Sequence, residues 1–212
     1  SSIEVRALRT AAALLGQAHV PRVFWSDEAG HRFAMELVGS RFRNWKRELL
    51  DGTVDLSSAH AAGEVLGRLH ANSAADASLA AAFANLEPFV ELRIRPYFER
   101  VAARNPALVD AVGAVVANML AHRSALVHGD YSPKNLLVDR DEVVVLDWEV
   151  AHWGDPRFDV AFCAAHLLLK SHRRAAPAAR LRTAALQFLV AYRRAGIAPI
   201  DIALEAKLSV AT

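Results

Sequence analysis

His128-Gly129-Asp130-Tyr131-Ser132-Pro133-Lys134-Asn135 runs into Leu136-Leu137-Val138, the polar turn Asp139-Arg140-Asp141-Glu142, the run Val143-Val144-Val145-Leu146, and then Asp147-Trp148-Glu149. Two apolar runs joined by a short polar turn predict a β-hairpin. A hairpin brings its far end back to its start, so Asp147 returns to the mouth where Asn135 sits. Asp130 stands five positions before Asn135, in the polar turn that feeds the hairpin. Three oxygen-bearing side chains are thereby expected at one place, a pattern far more specific than any of them alone.

Phosphoryl transfer needs a hydroxyl held in line with the γ-phosphate and positive charge on the phosphate oxygens. A carboxylate at Asp130 can accept the proton of a substrate hydroxyl or orient it. The amide oxygen of Asn135 and the carboxylate of Asp147 are hard oxygen ligands suited to Mg2+. The His128 ring can bond backbone near Asp147 and organise the loop. Gly129 permits close backbone approach, and Pro133 stiffens the turn before Asn135. Lys134 can meet a phosphate or a substrate anion, or simply face solvent.

Working outward, residues 3–15 read as a helix with Ile3, Leu8, Ala11, Ala12 and Leu15 on its apolar face, stopped by Gly16. Residues 22–25 and 32–38 read as strands joined through Asp27-Glu28-Ala29-Gly30. Gly39 and Ser40 break that pattern, and residues 42–50 read as a short helix or irregular linker. Ser57 or Ser58 is the expected cap of a helix with Ala61, Ala62, Val65, Leu66 and Leu69 inside. Residues 72–84, rich in Ala, Ser and Asp, read as the least constrained stretch. A helix over 89–103 is expected to break near Pro96, and another starts at Pro106. Residues 158–169 and 180–194 complete a helical body, with Gly196 and Pro199 ending the latter and a further helix beginning near the end. The expected division is 1–38, a linker at 39–44, and a body over 45–212. The first piece has too few strands to bury a core alone.

Composition bounds the rest. The chain has 212 residues, enough for one substantial core, and 25 basic against 23 acidic groups. A net charge of +2 gives no concentrated basic face for nucleic acid. Cys163 is the only cysteine, which excludes an internal disulfide and fits a reducing, cytoplasmic setting. No apolar stretch reaches membrane-spanning length, and no secretion signal is visible. His19, His31, His60, His70, His122, His152, His166 and His172 show no compact zinc spacing and read as surface, cap or packing residues. Monomer and homodimer both remain open.

The central loop resembles the aminoglycoside phosphotransferase and choline kinase-like superfamily, distant relatives of the protein kinases. Gly129 replaces the arginine usual in protein kinases, and Asp147-Trp148-Glu149 replaces Asp-Phe-Gly; both point to the small-molecule branch. Gly154-Asp155-Pro156-Arg157-Phe158-Asp159 continues the likeness. The resemblance implies an α+β, protein kinase-like fold: a partial N-terminal lobe, and a mainly helical C-terminal lobe carrying a catalytic hairpin. It implies ATP and Mg2+, with Asp130 as base, Asn135 and Asp147 as metal ligands, and His128 as loop organiser. Asp159 would brace the loop, and Asp155 would cap locally. Glu4 is similar to the helix glutamate that pairs with an ATP-binding lysine. Met35-Glu36-Leu37-Val38 is similar to the strand entering the adenine hinge, making Glu36 and Val38 sources of backbone bonds. Arg93, Tyr97 and Glu149 fall where substrate pockets form, with helix packing the alternative for the first two. Trp148 and Trp153 can line the pocket or pack in the core. The implied acceptor is a small-molecule alcohol: an antibiotic, a sugar or an amino alcohol. One departure is clear: these residues contain no G-x-G-x-x-G pattern and no strand lysine ahead of Glu4. A catalytically weak binding or regulatory protein, and a Mg2+-dependent phosphohydrolase, stay open as alternatives.

Overall fold

The structure, a computed structural model, describes residues 2–173 and 177–196. The expectations for Pro199 and for a further helix lie outside the described residues. Helix α1 (Ser2–Leu15) buries Val5, Ala7, Leu8, Ala11 and Leu15, with Ile3 and Ala12 at the rim of the core. Gly16 ends it with φ of 95° and an N–H bond to the Ala12 carbonyl. Strands β1 (Val23–Asp27) and β2 (Arg32–Met35) form the expected antiparallel hairpin. Asp27 shapes its turn by accepting from Gly30 N–H at 2.9 Å and from Arg32 at 3.0 Å. The second strand stops at Met35, short of Val38, although Glu36 N–H still reaches the Arg22 carbonyl.

Strand β3 (Arg43–Asn44) opens the following segment and leads directly into α2 (Trp45–Asp51). Asn44 caps α2 by accepting from Arg47 N–H, and its side-chain amide donates to the Lys134 carbonyl at 2.7 Å. Helix α3 (Leu56–Ser73) is capped by Asp55, ahead of the serines expected at 57 or 58. Its carboxylate accepts from both the backbone N–H and the hydroxyl of Ser57, and an ionised acceptor outcompetes a neutral hydroxyl. Residues 72–84 are more ordered than their composition indicates. Asp76 caps the short helix α4 (Ala77–Ala82) and Phe83 is buried behind it.

Helix α5 (Glu87–Phe89) continues as a π-helix over Val90–Glu99 and then as α6 (Arg100–Arg104). The break expected at Pro96 takes this wider form. Proline has no N–H for an α-helical bond to the Leu92 carbonyl, and the Arg93 guanidinium donates to that carbonyl at 2.7 Å. Helix α7 (Val109–Ala121) follows a short 3-10 turn that begins at Pro106.

Strand β4 (Ala125–Val127) enters the loop from His128 to Asn135, and β5 (Leu136–Asp139) with β6 (Glu142–Val145) forms the expected hairpin. Strand β3 adds to its edge, giving the order β3-β5-β6. A pairing the sequence did not announce joins β4 to β7 (His152–Gly154); three-residue strands leave no readable alternation. Helices α8 (Arg157–Arg173) and α9 (Ala178–Arg194) close the body. Helix α9 lies unusually near α3 because Gly63 and Gly67 face it. A Cβ at Gly63 would collide with the Phe188 carbonyl, and one at Gly67 would stand 2.7 Å from that of Tyr192.

One core unites these parts. Ala7, Leu8, Ala11 and Leu15 of α1 share it with Trp45, Leu66, Tyr131, Trp148 and Phe188. Residues 1–38 therefore pack into the body and keep no separate core, as two strands alone require.

Candidate active site

Strand β4 delivers the chain into a loop held from below by Asp159 on the first turn of α8. The Asp159 carboxylate, fully buried, accepts from His128 N–H at 2.7 Å and Gly129 N–H at 2.9 Å. His70 Nε2 lies 3.3 Å away, and the other nitrogen of that ring meets the Tyr192 hydroxyl at 3.0 Å. Burial works to raise the Asp159 carboxyl, but the His70 bond, the nearby imidazoles and the backbone donor leave it below the ordinary carboxylate range. His70 thus does more than fill space: it links α3 and α9 to the loop. Its only sequence signal was a histidine next to Leu69 at the end of an apolar helix face.

His128 is fully buried, and its hydrogen bonds assign its protons. Asp130 N–H donates to Nδ1 at 3.1 Å, so Nε2 carries the hydrogen and donates to the Leu146 carbonyl at 3.0 Å. That last bond ties the loop to the residue before Asp147, as expected from the sequence. Burial pushes the imidazole below its ordinary value, against the pull of Asp159 and Asp130. Gly129 has φ of 77°, and a Cβ there would stand 2.7 Å from the Val150 carbonyl, so close backbone approach is real.

Asp130 is 3% exposed, and three donors converge on one of its oxygens. Lys134 Nζ lies 2.7 Å, Arg93 Nη2 2.9 Å and Asn135 Nδ2 2.9 Å from Oδ2. Oδ1 meets no donor among the described residues and remains for a hydroxyl. Arg93 is 8% exposed and also donates through Nε to the Gly129 carbonyl at 2.7 Å. The π-helix therefore sends a cation onto the Asp130 carboxylate, a more intimate place than a pocket wall. Lys134, half exposed, has a definite partner and does not merely face solvent.

Asn135 Nδ2 is committed to Asp130, which turns its Oδ1 outward. Leu146 N–H donates to the Asn135 carbonyl at 2.9 Å, so the hairpin sets Asp147 one residue from Asn135 across the ladder. Asp147 adopts φ of 65°, the left-handed region that non-glycine residues occupy sparingly and often at functional positions. Among the described residues, no three His, Cys, Asp or Glu side chains form a metal-binding group. An amide oxygen and one carboxylate nevertheless fit Mg2+, which takes few protein ligands and completes its shell with phosphate and water.

Glu4 approaches from α1. Burial, with Asp147 and Glu149 nearby, pushes its carboxyl above the ordinary range. Glu149 itself is exposed. Glu36 accepts from Arg22 N–H through its carboxylate, and Val38 is half-buried beyond the strand end. Tyr97 is exposed and sets its ring edge-on to Phe162 at 5.9 Å. Pro133 is buried, and its carbonyl accepts from Lys46 N–H. Asp155 caps α8 through Arg157 N–H. Trp148 is wholly in the core, packed on His128 at 4.5 Å; Trp153 is 8% exposed in β7.

A kinase-like fold with this loop, hairpin and aspartate defines a phosphotransferase scaffold. The model of the phosphotransferase enzyme family matches residues 2–198, and the chain belongs to that family. It is 30% identical over 196 residues to the methylthioribose kinase of Geobacillus kaustophilus, covering 80% of this chain and 48% of that protein. The methylthioribose kinase of Bacillus velezensis is 30% identical over 178 residues, covering 72% and 45%. The chain spans about half the length of the curated relatives it matches. Among solved structures, the macrolide 2'-phosphotransferase of Brachybacterium faecium aligns with a TM-score of 0.58 at 27% identity, over 98% of this chain and 69% of that one.

Proposed function

We propose that this chain carries the catalytic half of an ATP-dependent phosphotransferase that moves the γ-phosphate to a hydroxyl of a small molecule. The observation that carries this reading is Asp130: three donors pin Oδ2, and Oδ1 is left to take a hydroxyl proton. A phosphohydrolase could use the same carboxylate on water; the match to a phosphotransferase family and to methylthioribose kinases supports an alcohol as acceptor. In this reading residues 1–38 are part of a nucleotide-binding lobe, 39–44 the hinge and the remainder the helical lobe. Backbone groups of Glu36 and Val38 face adenine, and Glu4 orients phosphate-binding groups that these 212 residues do not contain.

Asn135 and Asp147 would hold Mg2+, which neutralises charge on the phosphate oxygens when bound. Asp130 positions the acceptor hydroxyl and takes its proton as the new P–O bond forms and the bond to ADP breaks. Lys134 and Arg93 fix the carboxylate and favour the negative charge gathering at the transferring group. His128, braced by Asp159, keeps the loop and hairpin in register. No helix among the described residues is long and apolar enough to cross a membrane; a cytoplasmic site of action is part of the proposal.

The test is ADP release by the full-length protein with Mg2+-ATP and a panel of alcohols. Asp130→Asn is expected to lower kcat by about 10²–10⁴-fold while nucleotide binding persists. Asp147→Asn is expected to lose the Mg2+ dependence of nucleotide binding. Full transfer by Asp130→Asn would refute the assignment.

A further inference from the structure

The two sides of Asp130 differ in charge. Towards the hairpin stand Asp147, Glu149 and Glu4, close enough for the first two to act on the third. Away from it, helix α8 presents a row that no sequence motif announced. Asp159 is at its base, and one turn on Phe162 lies under the Arg93 guanidinium at 5.9 Å, edge-on to Tyr97. His166 follows, edge-on to Phe162 at 4.8 Å, and Lys170 comes after it on the same face. Helix α2 is fastened to the loop that carries Asp130 by the bond from Lys46 N–H to the Pro133 carbonyl.

Lys170 is half-buried, and its ammonium donates to the His166 carbonyl at 3.1 Å. Among the described residues no carboxylate lies within ion-pair distance of it. A partly desolvated cation without a counter-ion is unfavourable until an anion arrives. Burial, and then Lys46, lowers its ammonium below the ordinary value. The His166 imidazole is lowered by burial and then Lys170, with Asp130 opposing and Lys134 and Lys46 adding to the effect. Asp130 itself already faces Arg93 and Lys134.

We propose that the acceptor alcohol carries a negatively charged group, a carboxylate or a phosphate, seated among Lys170, His166 and Lys46; this rests on the phosphotransferase reading above. Phe162 and Tyr97 supply the apolar wall for the acceptor's carbon frame, and the hydroxyl points to Asp130. A polycationic acceptor would meet like charge in Lys170 and Lys46, with the one carboxylate beside them, Asp130, already paired to Arg93 and Lys134.

The experiment presents the full-length protein and Mg2+-ATP with glycerate, ribose 5-phosphate, ribose, choline and kanamycin, following ADP and the phosphorus NMR of the product. Transfer to glycerate or ribose 5-phosphate is expected to exceed that to the other three, and the preferred one identifies carboxylate or phosphate. Lys170→Gln is expected to raise the acceptor KM about 10-fold or more while the KM for ATP holds. Lys46→Gln, at an exposed position, repeats the test without a folding burden. Preference for choline, kanamycin or ribose overturns the anion site and leaves the phosphotransferase standing, as does a Lys170→Gln effect confined to ATP. Transfer to none of the five is judged by calorimetric titration with glycerate and ribose 5-phosphate. Binding abolished by Lys170→Gln supports the anion site and counts against transfer; no binding overturns the site.

Discussion

Replacing Asp159 by Asn tests the brace beneath the loop that begins at His128. The carboxylate accepts two backbone N–H groups at 2.7 and 2.9 Å on separate oxygens, with His70 at 3.3 Å on one of them. An asparagine keeps one acceptor and turns an N–H2 towards the other donor. One charge-assisted bond of about 1.5–3 kcal/mol is lost, and a buried N–H is left unpaired at roughly 1–3 kcal/mol. Relief from burying a charge offsets part of this, so the net loss is about 3 kcal/mol, near the lower end for breaking a buried pair. Urea unfolding followed by the fluorescence of the buried Trp45 and Trp148 reads it directly. With a slope of about 2 kcal/mol per molar, the midpoint should fall by about 1.5 M. His70→Gln, which removes one side donor and spares both backbone bonds, should shift it less. A midpoint for Asp159→Asn within about 0.3 M of the parent would refute the reasoning, because the loop would then hold itself.

Other outcomes follow from the same geometry. Gly129→Ala places a methyl against the Val150 carbonyl in a left-handed backbone, and should destabilise the loop by about 1–3 kcal/mol and abolish transfer, read by thermal melting and ADP release. Arg93→Ala leaves Asp130 with one fewer cation and the Gly129 carbonyl bare; a loss of about 3 kcal/mol is expected in urea. His128 and His152 both have imidazoles lowered by burial. The unfolded chain therefore binds more protons as pH drops below the ordinary histidine value of about 6.5, so the melting temperature should fall from pH 7.5 to 5.5 and level off above. His128→Gln should flatten part of that slope. Gly63→Val should force α9 off α3 and lower the melting temperature sharply, whereas the same change at the open Gly113 should not.

What could be read in the sequence is what local spacing encodes. The loop from His128 to Asn135, the hairpin and Asp147 were legible because two alternating apolar runs fix where the intervening residues must go. The His128 bond beside Asp147 followed from the same pattern, whereas the brace at Asp159 was implied by the family resemblance alone. Arg93 was legible only as a pocket candidate, because its reach to Asp130 depends on a helix widened around Pro96, and periodicity assumes the ordinary turn. The β4–β7 pairing joins residues far apart in the chain with three residues a side, too few to alternate. His70 and Tyr192 needed the packing of α3 on α9, which two glycines permit and no motif declares. His166 read only as a surface, cap or packing residue and no motif singled out Lys170, since a helix face acquires meaning only when its neighbour is known. The cap of α3 went to Asp55 because an ionised oxygen and a hydroxyl compete on strength, not on position.

The wide turns between Pro88 and Pro96 make chain length itself a determinant of the chemistry. Removing one residue ahead of Arg93 would let the segment return to ordinary helical winding and swing that guanidinium about 100° around the axis. Gain or loss of a single codon in this stretch thus adds or withdraws a cation at Asp130, while every motif letter stays in place.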